Sequence, residues 1–576
     1  MNLPVMQETA EAVQFTQDFR GYNHNLNIQP GEFYEMRNVT TDNYPVLTTR
    51  PGQNEQREFS GKPNGLFEYE DDTLMVFVGK KMYTGITPTS DGRQEDTVFQ
   101  NNEKYIAKIG SKVVIMPDKK IYDTVTGQVT NIEQFYESMS RNVGSGSSAE
   151  NQVTVVERLP CELDGTVISS DSYTRSATKP AGGSGKYWYN TSDNTLRKWS
   201  TATNNWVKQE SVFMRLRVVV MKQVNTNESQ TYYTPSQTID PDLVAHRKAL
   251  SDYLGSLKAY DSISLAYTNG TDIETKDNVI FAVGKAGGYN YIVVQGSPET
   301  QYTHFTFRTK CPDLTYIAAH NNRIWGISND THEIFACKLG DPTQWYNYPG
   351  LASDSYAATI GGGNAVTGCI SYANQILFFA ERKIIKVYGD YPSNFTIGEI
   401  VCEGVKEGCH KTLQIVESML YYVSPVGVMA FDGSVPVLIS QKFAPHWLDG
   451  KTMCAGVDRT KYCLSVSQID ESYGIFVYDT TNGLWCIEGD QIMVCTSTLE
   501  NSLVFLNKNS KMVALHDKSM KYDLIGSMGR ELLSLTGRQP VNDYLFDLDE
   551  YDFEDIINDV VIEPQNESEE NLEEGE

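Results

Sequence analysis

The chain has 576 residues and a formal charge of −26, from 48 Lys and Arg against 74 Asp and Glu; 40% of residues are hydrophobic and 11% aromatic, with 34 Tyr and 44 Gly. That length predicts more than one folding unit, and the aromatic and turn-residue content favours β structure. The acidic balance argues against gripping nucleic acid through its phosphates, and no apolar run reaches the ~18 residues of a membrane span.

Residues 1–60 read as N-terminal strands leading into a repeat. Their start, MNLPVMQETAEAVQF, has no basic stretch before an apolar core, so no secretory leader is expected. The ten cysteines, at 161, 311, 337, 369, 402, 409, 454, 463, 486 and 495, are then expected as reduced thiols. The sequons at Asn38 and Asn394 are expected to be fortuitous. The stretch RNVTTDNYPVLTTRPG (37–52) predicts a strand over 33–40, a turn over 42–45 and a strand over 46–50, ended by Pro51 and Gly52.

A recurring hairpin begins in 61–141, the expected first blades. Seven segments pair an apolar strand, a polar turn and a second apolar strand, among them DDTLMVFVGKKMYTGI, NQILFFAERKIIKVYG and NSLVFLNKNSKMVALHD. Their first strands start at Leu74, Val113, Ile324, Ile376, Met419, Tyr462 and Leu503, at intervals of 39, 211, 52, 43, 43 and 41. Apart from the long one, these are the ~40–50 residues of propeller blades. One hairpin alone buries too little, whereas four-stranded blades stacked radially bury both faces. The expected fold is therefore all-β: a β-propeller of six or seven blades, with the remaining blades in 310–522.

The 211-residue interval predicts an inserted, mostly β domain over 142–309. It opens with the Gly/Ser-rich NVGSGSSAENQ. GKYWYNTSDNTLRKWSTATNNWVK predicts tight aromatic hairpins. PDLVAHRKALSDYLGSL predicts a helix with Leu243, His246, Leu250 and Leu254 on one face. Over 523–576 the repeat fades. A short helix is expected at 526–539, then an acidic tail: 541–576 has fifteen Asp and Glu and no Lys or Arg, leaving −11 on the other 540 residues. The last ~15 residues are expected to be disordered; the apolar residues before them read either as docking on a neighbour or as part of a solvated tail with no partner.

The chemical motifs are weak. In AGGSGKYW, Gly185-Lys186 lacks both the Gly at 180 and the hydroxyl at 187 of a phosphate loop, having Pro180 and Tyr187. GGGNAVTG (361–368) reads as a turn between strands. Cys402, Cys409 and His410, with His446 and Cys454 further on, are spaced unlike zinc ligands and read as buried thiols. SDNTLRKW puts Asp193 directly after Ser192 and lacks the Gly of a sialidase repeat. No catalytic, cofactor or metal residue is expected, and no enzymatic activity. Trp188, Tyr189, Trp199 and Trp206 could stack on sugars, or form the core of a small β unit.

Three segments carry a resemblance: RNVTTDNYPVLTTRPG, the NNRIWG and KLGDPTQW of 311–350, and ILFFAERKIIKVYGDYPSNF with EGCHKTLQIVESMLYYVSPVGVMAFDGSVPVLIS. They resemble the β-propeller tail proteins of bacteriophages: the tail nozzle (tail tubular protein B) and the DNA-stabilisation hub proteins. The resemblance spans the opening and roughly 305–490, not the insertion or the tail. It implies a structural virion protein, made in the host cytoplasm, whose copies form a ring, commonly a hexamer. That ring would contact portal-proximal adaptor proteins above and tail fibre or distal tail proteins below. It would extend and close the channel for genomic DNA, which passes without specific binding. An acidic body suits this, since cationic wells would retard DNA. The alternative is a host-receptor- or glycan-binding tail propeller, or a glycan-degrading one, using the aromatic insertion. Within the shared segment, Asn321, Asn322, Arg323 and Trp325 read either as a subunit contact or as a turn, a local pair and a blade filler.

Overall fold

The computed structural model describes residues 19–46, 48–145, 150–225, 231–235, 239–269, 272–296, 304–361, 365–443, 453–467, 473–489, 491–516 and 534–536. All seven hairpin starts fall in the second strand of a four-stranded antiparallel sheet. Those strands run Thr73–Val78, Lys112–Met116, Arg323–Ser328, Gln375–Ala380, Met419–Ser424, Lys461–Ser467 and Ser502–Asn507. Second strands are buried on both faces, so they read as continuous apolar runs such as TLMVFV and QILFFA. First and fourth strands are more polar, which is why only the middle of each sheet showed as a repeat.

The fold is a β-propeller. The first strands Pro63–Glu70, Tyr105–Ile109, Ile317–His320 and Gly368–Tyr372 neighbour one another in that order. Phe379 against Tyr422, with ring centroids 5.2 Å apart, joins the fourth sheet to the fifth. Gln414–Val416, Cys454–Asp458 and Met493–Leu499 return the ring to Pro63–Glu70. Sheets approach closely where side chains are smallest: a Cβ on Gly456 would come within 2.2 Å of Leu503.

The ring is closed by the two ends of the chain. Asn54–Glu58, expected merely to lead into the propeller, is the outer strand of the seventh sheet, paired with Lys511–Ala514. Pairing these ends satisfies an edge that would otherwise be open. In the opening stretch, Val39–Thr40 pairs with Thr48–Thr49, and Asn38, at φ 56°, breaks the expected continuous strand. Glu35–Arg37 pairs instead with Ser534–Thr536. The short helix expected at 526–539 is thus corrected at 534–536, which are extended because an open strand edge lies beside them; the rest of it, and the acidic tail, lie outside the described residues.

Buried charges hold this closure. Lys461 Nζ is 2.8 Å from Asp42 Oδ1, and it donates to Thr40 Oγ1 (2.8 Å) and Glu488 Oε1 (3.1 Å). His516 sits between two carboxylates, with Nε2 2.6 Å from Glu488 Oε2 and Nδ1 3.1 Å from Asp458 Oδ2. Two acceptors require a proton on each ring nitrogen, hence an imidazolium. Burial by itself would lower the His516 pKa, but the charge of Glu488 and the bonds to both carboxylates raise it to about 9. Glu488 moves the opposite way: burial opposes ionisation, and His516 and Lys461 overcome it.

The insertion is one nine-stranded sheet plus a small four-stranded one. Phe135–Glu137 already pairs with His304–Arg308, and Ser140–Val143 with Glu150–Cys161. Residues 135–141, expected in the first blades, therefore join the insertion's own sheet. Helix Pro241–Ser256 starts at Asp240, whose side chain accepts from Asp242 N, and buries Leu243, Leu250 and Leu254 on the large sheet. No helix among the described residues is long and apolar enough to cross a membrane.

One loop anchors the insertion to the ring. Lys338 Nζ lies 2.6 Å from Asp261 Oδ1, and Gln344 Oε1 accepts from Ser262 N at 3.1 Å. The loop is itself fixed by Arg323, 1% exposed, which donates to the carbonyls of Cys337 and Ala352 (2.8 Å each) and of Asp354.

The latch has a pH signature. His516 is raised above its ordinary 6.5, so its contribution is complete below about pH 6.5 and is lost as pH rises through about 9. The difference corresponds to about 3 kcal/mol. Urea unfolding should show wild-type stability declining between pH 6.5 and 9, with His516→Gln destabilised at pH 6 and nearly flat across that window. Equal slopes in the two proteins would remove His516 from the closure.

Candidate functional site: the central channel

The seven first strands converge on a cavity of about 210 Å³, lined from every sheet. Its polar wall is built by a short turn, His410–Thr412, that precedes the fifth sheet. Lys411 Nζ lies 2.6 Å from Glu103 Oε1, next to the second sheet, and donates to Val494 O in the seventh at 2.9 Å. The Nε2 of His410 lies 3.1 Å from the same Glu103 oxygen. Tyr105 and Tyr316 flank the imidazole, with ring centroids at 5.5 and 4.9 Å. Gln414 Nε2 and Thr496 Oγ1 both donate to Ala455 O, at 2.9 and 2.7 Å, joining the fifth, sixth and seventh sheets.

The electrostatics bind these groups into a brace. Burial opposes the ionisation of Glu103, but the His410 hydrogen bond and the Lys411 charge bring its pKa down to about 2. Lys411 is raised: burial opposes its charge, and Cys495 and Glu103 outweigh that. Burial pushes the Cys454 thiol up to about 12 and Tyr316 to about 12; Cys495 is also raised. A nucleophile or base would need its pKa brought toward neutrality; these move away from it. The result is an ion pair at the cavity wall that ties the fifth sheet's lead-in to the second and seventh sheets.

Of the residues weighed for metal binding, His410 and Cys454 line this cavity, Cys409 is buried in the core, and Cys402 lies just after strand Thr396–Val401. His446 lies outside the described residues. Among the described residues, no three His, Cys, Asp or Glu side chains converge as metal ligands. Lys186 and Gly185 are in an exposed loop of the insertion. Part of the glycine-rich turn, 362–364, is outside the described residues. Asp193 pairs with Arg197 in a surface turn.

The Trp residues of the insertion pack on one another. Trp188 and Trp206 are 5.8 Å apart between centroids, Trp199 and Trp206 5.3 Å. The Trp188 and Trp206 indoles donate to the carbonyls of Ser176 and Pro180. Tyr189 is buried, and Trp199 half-buried against Gly182. In the shared segment, Asn321 and Asn322 take positive φ (47° and 54°) in a two-residue turn, and Trp325 is 1% exposed. Glu103 and Lys411 had no sequence signal: His410 and Glu103 are 307 residues apart, and only ring closure brings them together.

No protein-family model matches the chain, and no curated protein matches it. Among solved structures, the computationally designed Ika8 protein is similar over 80% of this chain and 98% of its own, at 9% identity and a TM-score of 0.34. The WD40 repeats of RRP9 are similar over 81% and 98%, at 6% identity and 0.32. Citrobacter koseri AztD is similar over 74% and 87%, at 10% identity and 0.29.

Two measurements check the brace. In a double-mutant cycle of Glu103→Gln and Lys411→Met read by urea midpoints, each single change should destabilise, with a coupling of about 1–2 kcal/mol; additive effects would dissolve the brace. The raised, buried Cys454 and Cys495 thiols should resist iodoacetamide at pH 8 in the folded protein and react on unfolding. Rapid native labelling at either would contradict their burial.

Proposed function

We propose that this chain is a structural, non-enzymatic protein of a bacteriophage tail. It is a nozzle or hub whose copies form a ring that extends the DNA path below the portal and adaptor and closes it until ejection. The observation that carries the reading is the resemblance of 37–52 and 311–350 to that family. In this chain those segments are framework. Asp42 and Thr40 hold the closure through Lys461. Lys338 and Gln344 of the KLGDPTQW segment hold the insertion, and Trp345, 0% exposed, donates its indole N–H to Pro342 O.

The site geometry supports one refinement. A cavity of about 210 Å³, below the ~300–1,000 Å³ of ligand pockets and bridged by Lys411 and Glu103, admits no nucleic-acid strand. In this reading DNA runs between copies, along the outside of each subunit. The glycan-binding alternative loses support from the burial of Trp188, Tyr189 and Trp206.

Electron microscopy of the purified full-length chain should show closed rings of copies, and gold-labelled antibody on virions should decorate the tail below the capsid. Virions whose tails carry no label would overturn the reading. Rings without tail label would leave a ring-forming propeller of another setting.

A further inference from the structure

The small sheet of the insertion is the most basic part of an acidic chain. Residues 173–208 contain Arg175, Lys179, Lys186, Arg197, Lys198 and Lys208 against a single acid, Asp193, for a net +5. Residues 541–576 carry −15, and the rest of the chain −16. The sheet comprises Tyr173–Ser176, Tyr187–Asn190, Thr195–Ser200 and Asn205–Lys208. One face is occupied: Tyr187, Tyr189 and Leu196 pack with Ile168.

The opposite face carries Trp188, Trp199 and Trp206 beneath the loop of Pro180 and Gly182, with Arg197 and Lys208 on the strands and Lys179 and Lys186 in that loop. Trp188, Arg197 and Lys208 stand in one cross-strand row, with the Arg197 guanidinium 4.9 Å from the Trp188 ring centre. Arg197 and Lys208 are direct antiparallel partners, and like charges so placed repel. Asp193 answers Arg197, and Glu162 answers Lys198 at 3.2 Å. Lys179, Lys186 and Lys208 are exposed and form no ion pair among the described residues, while Arg175 and Lys198 lie on the other face, over the Tyr189 and Tyr187 rings.

The complementary partner is in the same sequence. Segment 541–576 interleaves its acids with Tyr544, Phe546, Tyr551 and Phe553, a pattern matched to a cationic face with aromatic rings beneath it. The last described strand before it, Ser534–Thr536, lies on Glu35–Arg37, which packs beside Leu484–Gly489 of the sixth sheet. The insertion leaves the ring between the second and third sheets. In a ring of seven sheets, the sixth stands opposite that gap. The acidic and basic elements therefore start from opposite sides of one subunit. Opposed complementary patches make head-to-tail contacts, which close into rings when the rotation per subunit permits.

We propose that the acidic segment 541–576 of one copy docks on the basic sheet 173–208 of the next. This rests on the ring arrangement of the reading above and is independent of its viral setting, because the contact is read on the purified chain.

The test mixes isotopically light and heavy full-length protein, cross-links Lys to carboxylates with a carbodiimide, and maps the products by mass spectrometry. Mixed-isotope links from 541–576 to Lys179, Lys186 or Lys208 are expected. A full-length Lys179→Glu/Lys186→Glu/Lys208→Glu variant, checked for an unchanged thermal melt, should lose those links and associate at least tenfold more weakly by sedimentation. Added salt should weaken the wild-type contact in the same way, since it screens exposed charges. Links confined to same-isotope pairs, showing a segment folded back on its own sheet, would overturn the proposal. So would association unchanged by the charge reversal. Loss of the contact alone would leave tail labelling of virions intact, so the two readings fail separately.

Discussion

Everything in this molecule depends on joining the two ends of the chain. A propeller whose first and last sheets do not meet is an open stack with two exposed edges. Here the edge is closed by Asn54–Glu58 on Lys511–Ala514, and the closure is locked by charges that water barely reaches. Taking Glu488, Asp458, Lys461 and His516 out of water is costly, and only a complete set of partners offsets it. Three carboxylates, Asp42, Asp458 and Glu488, face three cations, Lys461, Arg459 and His516. The set draws on the N-terminal lead-in, the sixth sheet and the bend that follows Lys511–Ala514 of the seventh. Asp42 and Arg459 are 417 residues apart, so the network is complete only once the lead-in has docked on the ring.

The same economy fixes the insertion. A 211-residue gap between hairpin starts could leave a loosely tethered domain, yet a loop of the third sheet reaches out to hold it. That loop is rigid because Arg323 binds its carbonyls and the Asp354 carboxylate accepts from Gly350 and Leu351 N–H. Conspicuous residues such as Arg323 and Trp345 are thereby consumed by the interior.

The channel follows from this closure as well. Glu103 and Lys411 meet over the cavity because the second, fifth and seventh sheets are held at fixed angles around it. In this setting the carboxyl is held low, and the ammonium and the neighbouring thiols high.

Several features were legible before any coordinates. Leu74, Val113, Ile324, Ile376, Met419, Tyr462 and Leu503 mark the second strand of each sheet of the ring, because that strand is buried on both faces and must be apolar throughout. The helix face Leu243, Leu250 and Leu254 is legible from its period. The role of Asn54–Glu58 was not legible, since NEQRE carries no strand pattern and its partner lies more than 450 residues away. Nor was the boundary at Phe135, where pairing with His304–Arg308 outranks local composition. The pairing of Glu103 with Lys411, and of His516 with Glu488 and Asp458, was likewise silent. Periodic burial writes itself into sequence because it repeats along one strand. Charge pairing across a closed ring is a single long-range coincidence, and only the tertiary structure decides it.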